Sequence, residues 1–203
     1  LNSAKEKCIG TLAKPRDGAD THYPFYLLPP NERLYDPKYQ MSVEECANML
    51  IMQYACYRKD HGIAFFAENA DLAEKWVAYL VEYGLRPEEQ LCTDDFAGHL
   101  KNNLNLAIKA TVGIGCYAEL LKAANKGAPS KSFRNTAERF ANEIVAFSEK
   151  FSHMPITWDA DDKTFSLKYN LAFDKILDLG LFPRSLAESE VDFYLSIADK
   201  FGT

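Results

Sequence analysis

Three short stretches hold polar residues that a helical core has no use for. Glu44 and Glu45 stand together, followed by Asn48. Thr93, Asp94 and Asp95 precede His99, Asn102, Asn103 and Asn105, and the run Lys168, Tyr169, Asn170 precedes Asp174. Paired carboxylates suit general acid–base work, because burial and mutual repulsion split their proton affinities and leave one ionised and one protonated near neutral pH. Taken singly, helix capping accounts for Glu45 and for Asp94 or Asp95 equally well. Asn102, Asn103 and Asn105 are different: three asparagines in one helix start disfavour the helix and cannot all be caps, so they are the better ligand candidates.

Each stretch lies at the start of a buried helix. Ser42 with Glu45 three residues on is a capping-box signature, and Val43, Ala47, Leu50, Ile51 and Tyr54 follow at helical spacing, giving a helix over about 43–59. Asp71 and Glu74 repeat the signature before the stripe Leu72, Trp76, Leu80, Tyr83, which ends at Gly84. Residues 103–122 are apolar almost all round, with small residues that permit close helix approach. Residues 132–151 place Phe133, Ala137, Phe140, Ile144 and Phe147 on one face and Arg134, Glu138, Arg139 and Glu143 on the other. A last pair is expected over 169–179 and 187–200, with Val191, Tyr194, Leu195 and Ala198 as the inner stripe of its second member. The one segment with strand character is Thr164–Leu167.

The pattern predicts an all-α fold of three helical hairpins, an α/α array in which more buried helices (43, 103, 169) alternate with amphipathic ones (71, 132, 187). In such an array the buried helices point the same way, so their three polar starts converge at one end. Helix N-termini there suit a carboxylate-bearing or hydroxyl-rich ligand. Residues 1–41, with Pro15, Pro24, Pro29, Pro30 and Pro37, read as an extended lead-in, and residues 42–203 as the helical domain.

Composition narrows the function. The chain has 203 residues, 47% of them hydrophobic, and a formal charge of -6 with no basic block, which argues against a nucleic-acid partner. No apolar run is expected to reach the ~20 residues that span a bilayer. Leu1 in place of a methionine implies an excised or processed piece of something longer. The cysteines Cys8, Cys46, Cys56, Cys92 and Cys116 form no C-x-x-C pair and read mostly as buried thiols. His22, His61 and His153 belong to no motif, and no His pair has metal-ligand spacing. Asp159, Asp161 and Asp162 lack the glycine and closing glutamate of a Ca²⁺ loop and read as a solvated turn. Serine-nucleophile and phosphate-loop motifs are absent, and no metal or cofactor is implied.

The segments Met41–Met52 (MSVEECANMLIM), Leu91–Leu100 (LCTDDFAGHL) and Lys168–Lys175 (KYNLAFDK) resemble the helical domain of the glutaminase A family of fungi and bacteria, over about residues 35–203. The resemblance implies about half of an (α/α)6 toroid of the six-hairpin glycosidase type, with the remaining hairpins in the rest of the parent chain N-terminal to Leu1, preceded in full-length members by β-rich domains, secreted or periplasmic, and hydrolysing L-glutamine to glutamate and ammonia. Departures stand beside the motifs: Ser42 replaces the family's proline, Cys46-Ala47 replaces Ser-Gly, and Cys92 replaces a serine. Cys46 and Cys92 are thus either neighbours able to pair or two separate buried thiols, the latter being preferred.

On that resemblance, the expected mechanism is amide hydrolysis. Glu44 or Asp94 acts as base on water, and Asp95 or Glu45 protonates the leaving amine. Asn48, Asn103, Lys168, Tyr169 and Asn170 hold the substrate, and His99 orients Asp95. Thr93 as covalent nucleophile ranks lower, since no base can be named beside it. Two alternatives stay open. One is a glycosidase using the same carboxylates, with Trp158, Tyr169 or Tyr57 as sugar platforms. The other is a catalytically incomplete helical scaffold that exposes apolar edge helices and self-associates.

Overall fold

The computed structural model describes residues 41–90, 92–93, 98–200 and 202. The expected lead-in lies outside the described residues except for Met41, and so do Asp94 and Asp95. Within the described residues the protein is all-α. Its helices are α1 (Ser42–Asp60), α2 (Ala64–Glu68), α3 (Ala70–Tyr83), α4 (Leu104–Ala123), α5 (Gly127–Ser148), α6 (Leu171–Ile176) and α7 (Arg184–Ile197).

Helix α4 is the axis of the packing. Every residue from Leu104 to Ala118 is buried, and the helix packs on α1, α3, α5 and α6. Its length and a mean hydropathy of 1.3 would suffice to cross a bilayer, contrary to the expectation that no run comes near. Yet 94% of that window is buried inside the fold, as in a core helix. Gly113 explains how α1 lies so close. A Cβ there would stand 3.0 Å from Ala47 Cα and 3.1 Å from Ala47 Cβ, so only the missing side chain lets the two backbones meet. Contact of residue 44 with 109 and of 47 with 113 advances in the same sense along both helices. Helices α1 and α4 therefore run parallel, with their starts at one end. The outer helices bury the middle of their expected stripes: α3 buries Trp76 and Leu80 with Ala73 and Val77, and α5 buries Ala137, Phe140 and Ile144 with Ala141, while Leu72, Tyr83, Phe133 and Phe147 are partly buried.

Several local expectations give way to tertiary contacts. Neither capping box forms. Met41 is the N-cap of α1 without a side-chain cap bond, and the Val43 N–H instead donates to Gln90 Oε1 at 2.9 Å. This start is buried, so a partner 47 residues away satisfies a donor at the helix end in place of a Ser42 cap. Helix α3 is preceded by Asn69 and by the short helix α2, which the periodicity does not announce. Helix α5 starts five residues earlier than expected, at Gly127; Pro129 sits in its first turn, where a missing N–H costs nothing. Helix α6 is only six residues long. The Asp174 carboxylate accepts from Leu181 N (2.9 Å) and Phe182 N (3.2 Å), and Asp178 and Gly180 take positive φ, turning the chain out of the helix.

No strand forms among the described residues; Thr164–Leu167 is irregular. Thr164 serves a turn instead, donating its hydroxyl to Asp161 O and accepting from Ile156 N. The Asp159–Asp162 segment is an exposed turn, with Asp161 Oδ1 accepting from Lys163 N. Helix α7 is rotated from its expected face. It buries Leu186 and Glu190, while Val191 and Leu195 point outward at 51% and 69% exposure, and Ala198 is exposed beyond the helix. The physical reason is the Glu190 carboxylate, which takes Met154 N at 2.6 Å and the Tyr194 hydroxyl at 2.8 Å and so turns that face inward.

Candidate active site

The starts of α1, α4 and α6 meet around one buried charge. Glu44, in the first turn of α1, is fully buried and accepts three hydrogen bonds. Lys109 Nζ lies 2.7 Å from Oε1, Thr93 Oγ1 donates to Oε1 at 2.6 Å, and Thr93 N donates to Oε2 at 2.6 Å. Lys109 in turn sits 5.7 Å from the centre of the Tyr169 ring. One turn back along α4, the Asn105 carbonyl accepts from Asn170 Nδ2 at 2.9 Å. All three sequence motifs thus contribute to one end of the bundle.

Glu45 is the neighbour that differs. It is partly buried, and its carboxyl is pushed up to about 7, first by burial and then by the Glu44 charge; the hydrogen bond with Asn48 and the Lys109 ammonium oppose the shift. One carboxylate is locked by three donors, and the next holds its proton to near neutrality. The partly buried Asn48 and Tyr169 lie on this side, and His99 is partly buried in the segment ahead of α4.

Other expected site residues are placed elsewhere or engaged otherwise. Asn103 is the N-cap of α4: its Oδ1 accepts from Leu106 N at 2.9 Å, and its Nδ2 approaches Cys92 Sγ at 4.0 Å. The asparagine expected to bind ligand is therefore the cap. Asn102 takes positive φ, donates N–H to Pro87 O and accepts from Trp158 N. Lys168 is buried with its ammonium donating to Met154 O, Ser166 O and the Ser166 hydroxyl. Asn170 is fully buried, and its Oδ1 has no hydrogen-bond partner among the described residues. Asp94 and Asp95 lie outside the described residues.

Cys46 and Cys92 are both core thiols, not joined in a disulfide. Of the aromatic platforms, Tyr57 stacks on Tyr54 at the other end of α1, about 20 Å from Glu44 along the helix. Trp158 carries the Arg86 guanidinium 3.4 Å from its ring centre and lies against Phe147. Tyr169 alone of the three lies near the Glu44–Lys109 pair, its ring centre 5.7 Å from Lys109 Nζ. No three His, Cys, Asp or Glu side chains gather as a metal site among the described residues.

The residue that sequence reasoning missed is Lys109. Its signal was legible: one ammonium inside fifteen buried residues must have a partner charge, and Glu44 is that partner.

Comparison with known proteins agrees with this architecture. The glutaminase A six helical-hairpin domain matches residues 20–203. The chain belongs to that family. Its six-hairpin domain is 32% identical over 167 residues to glutaminase A of Aspergillus oryzae (strain ATCC 42149 / RIB 40), a match covering 80% of this chain and 24% of the relative. It is 29% identical over 160 residues to a protein named probable glutaminase of Arthroderma benhamiae (strain ATCC MYA-4681 / CBS 112371), covering 64% and 18% respectively. The chain thus spans a quarter or less of the length of these relatives.

Proposed function

We propose that this domain takes part in amide hydrolysis of the glutaminase type, converting L-glutamine to L-glutamate and ammonia at the end of the bundle where α1, α4 and α6 begin. The observation that carries the reading is the adjacency of two unlike carboxyls, Glu44 held by Lys109 and Thr93 and Glu45 beside it with its proton affinity raised to about 7. Glu45 is then the acid that protonates the departing amine. Glu44 has neither exposure nor free lone pairs enough to act on water, so the base falls to Asp94 or Asp95, which follow the clamped Thr93. Asn48 and Tyr169 face the substrate, His99 orients Asp95, and Asn103, Lys168 and Asn170 support the site's frame. No cofactor enters the reading. The setting is extracytoplasmic, as the family resemblance implies, and the partners are a small-molecule substrate and the remainder of the parent chain. A glycosidase reading loses support, since two of its three aromatic platforms are turned to other packing.

The test is ammonia release from L-glutamine by the full-length parent protein, beside Glu45→Gln and a panel of aryl glycosides. The expected result is turnover that declines above about pH 7, where Glu45 loses its proton, and a loss of at least about 100-fold in Glu45→Gln. Glycoside cleavage without ammonia, or no turnover of either substrate, would overturn the assignment.

A further inference from the structure

Lys109 is the one charged residue between Leu104 and Ala118, and its side chain is 5% exposed against 1% for Glu44. A buried ammonium is costly unless a fixed anion faces it. Glu44 is that anion, and the dependence runs both ways, because a buried carboxylate needs its cation as much. With Lys109 in place, Glu44 accepts from Lys109, the Thr93 hydroxyl and the Thr93 N–H together. Thr93 is a turn residue outside the helices, and two donors from one residue on one carboxylate fix its backbone and its side chain at once.

We infer that Lys109 is a positioning residue: its ammonium pairs with Glu44 in the core, and the carboxylate so held clamps Thr93 onto the first turn of α1 beside Glu45. Its relevance to catalysis rests on the glutaminase-type reading, but the clamp itself does not. The same 2.6 Å contact would also let Glu44 serve as base to a Thr93 nucleophile. That step moves the Thr93 proton to Glu44 while the oxygen attacks the amide carbon, and it would strand the Lys109 ammonium in the core beside a neutral acid. The clamp avoids this penalty.

Amide hydrogen exchange, measured by NMR on this chain, tests the inference without reference to substrate. The Thr93 N–H is expected to be protected in the wild type and in Lys109→Arg. At pH 7 it should lose about tenfold or more of that protection in Lys109→Met, while the amides of Leu106–Ala118 keep theirs. Should Lys109→Met fail to fold, the double variant Glu44→Leu/Lys109→Met carries no buried charge. Leucine at position 44 offers the Thr93 N–H no acceptor, and the same loss of Thr93 protection is expected. Thr93 protection unchanged in whichever variant folds would overturn the inference. In the full-length protein with L-glutamine, Thr93→Ser should retain turnover and Thr93→Val should lose about tenfold. A covalent acyl adduct on Thr93, seen by mass spectrometry, would overturn the clamp in favour of the nucleophile. Absence of ammonia release with Thr93 protection lost in Lys109→Met would sink the proposed function and leave the clamp standing.

Discussion

At the scale of single residues, the site shows how neighbours of identical chemistry acquire different tasks. Glu44 and Glu45 share a backbone, but a helix turns 100° per residue, so one faces the core and the other the rim. The core-facing carboxyl meets Lys109 and both Thr93 donors; the rim-facing one meets burial and a negative neighbour. A folding signature follows. Glu45 binds its proton more tightly in the folded protein than at its ordinary value of 4.5, so the folded state holds more protons across the window between about 4.5 and 7. Stability should therefore fall as pH rises through that window, by about 1–2 kcal/mol once partial exposure is allowed for. Denaturant titrations at pH 5 and pH 8 should record this loss in the wild type and its disappearance in Glu45→Gln. The site's residue types were legible in the sequence because polar side chains at helix starts stand out. Which were caps and which were chemistry was not, as Asn103 shows, since one hydrogen bond to Leu106 N decides it.

At the scale of elements, α4 decides the arrangement. Its small residues admit α1 on one side and the chain after α6 on another: a Cβ on Gly115 would come 2.7 Å from Leu181 Cδ1, as one on Gly113 would meet Ala47 and Leu80. The close crossing at Gly113 also sets the distance over which Lys109 reaches Glu44, one turn earlier. Gly113→Val should cost about 1–3 kcal/mol by overpacking, and it should loosen the protection of the Thr93 amide by lifting α1 from α4. Thermal melts with hydrogen exchange would show both effects, whereas destabilisation with Thr93 protection intact would separate the crossing from the site. Helix existence was readable from periodicity for α1, α3, α4 and α5, because one face of each is buried against a neighbour. Boundaries were less so. The start of α1, the exit from α6 and the buried face of α7 are set by Gln90, Asp174 and Glu190, whose partners no local pattern encodes.

At the scale of the whole molecule, the last two described helices hold large apolar side chains in solvent. Ile176 on α6 stands at 69% exposure, and Val191 and Leu195, one turn apart on the helix that carries Glu190 inward, stand at 51% and 69%. Exposed apolar faces of this kind drive association. The isolated chain is expected to run larger than a monomer in size-exclusion chromatography with light scattering. Val191→Glu with Leu195→Lys should return it to monomer without lowering the melting temperature, since neither side chain is buried.

Composition, periodicity and three motifs were enough to determine an all-α hairpin array, its family, and the three polar starts brought together at one end. These are properties of order along the chain, and burying alternate helical faces leaves few other ways to fold it. Tertiary structure alone decided that Glu44 is locked and Glu45 proton-bearing, that Lys109 is the charge holding the site, and that the apolar stripe of α7 faces out. Each of those depends on which atoms lie within about 3 Å across 36 to 65 residues of sequence, as in the bonds of Lys109 to Glu44 and of Glu190 to Met154. A buried charge or a donor at a helix end must find a partner, and only the assembled core determines which one is near.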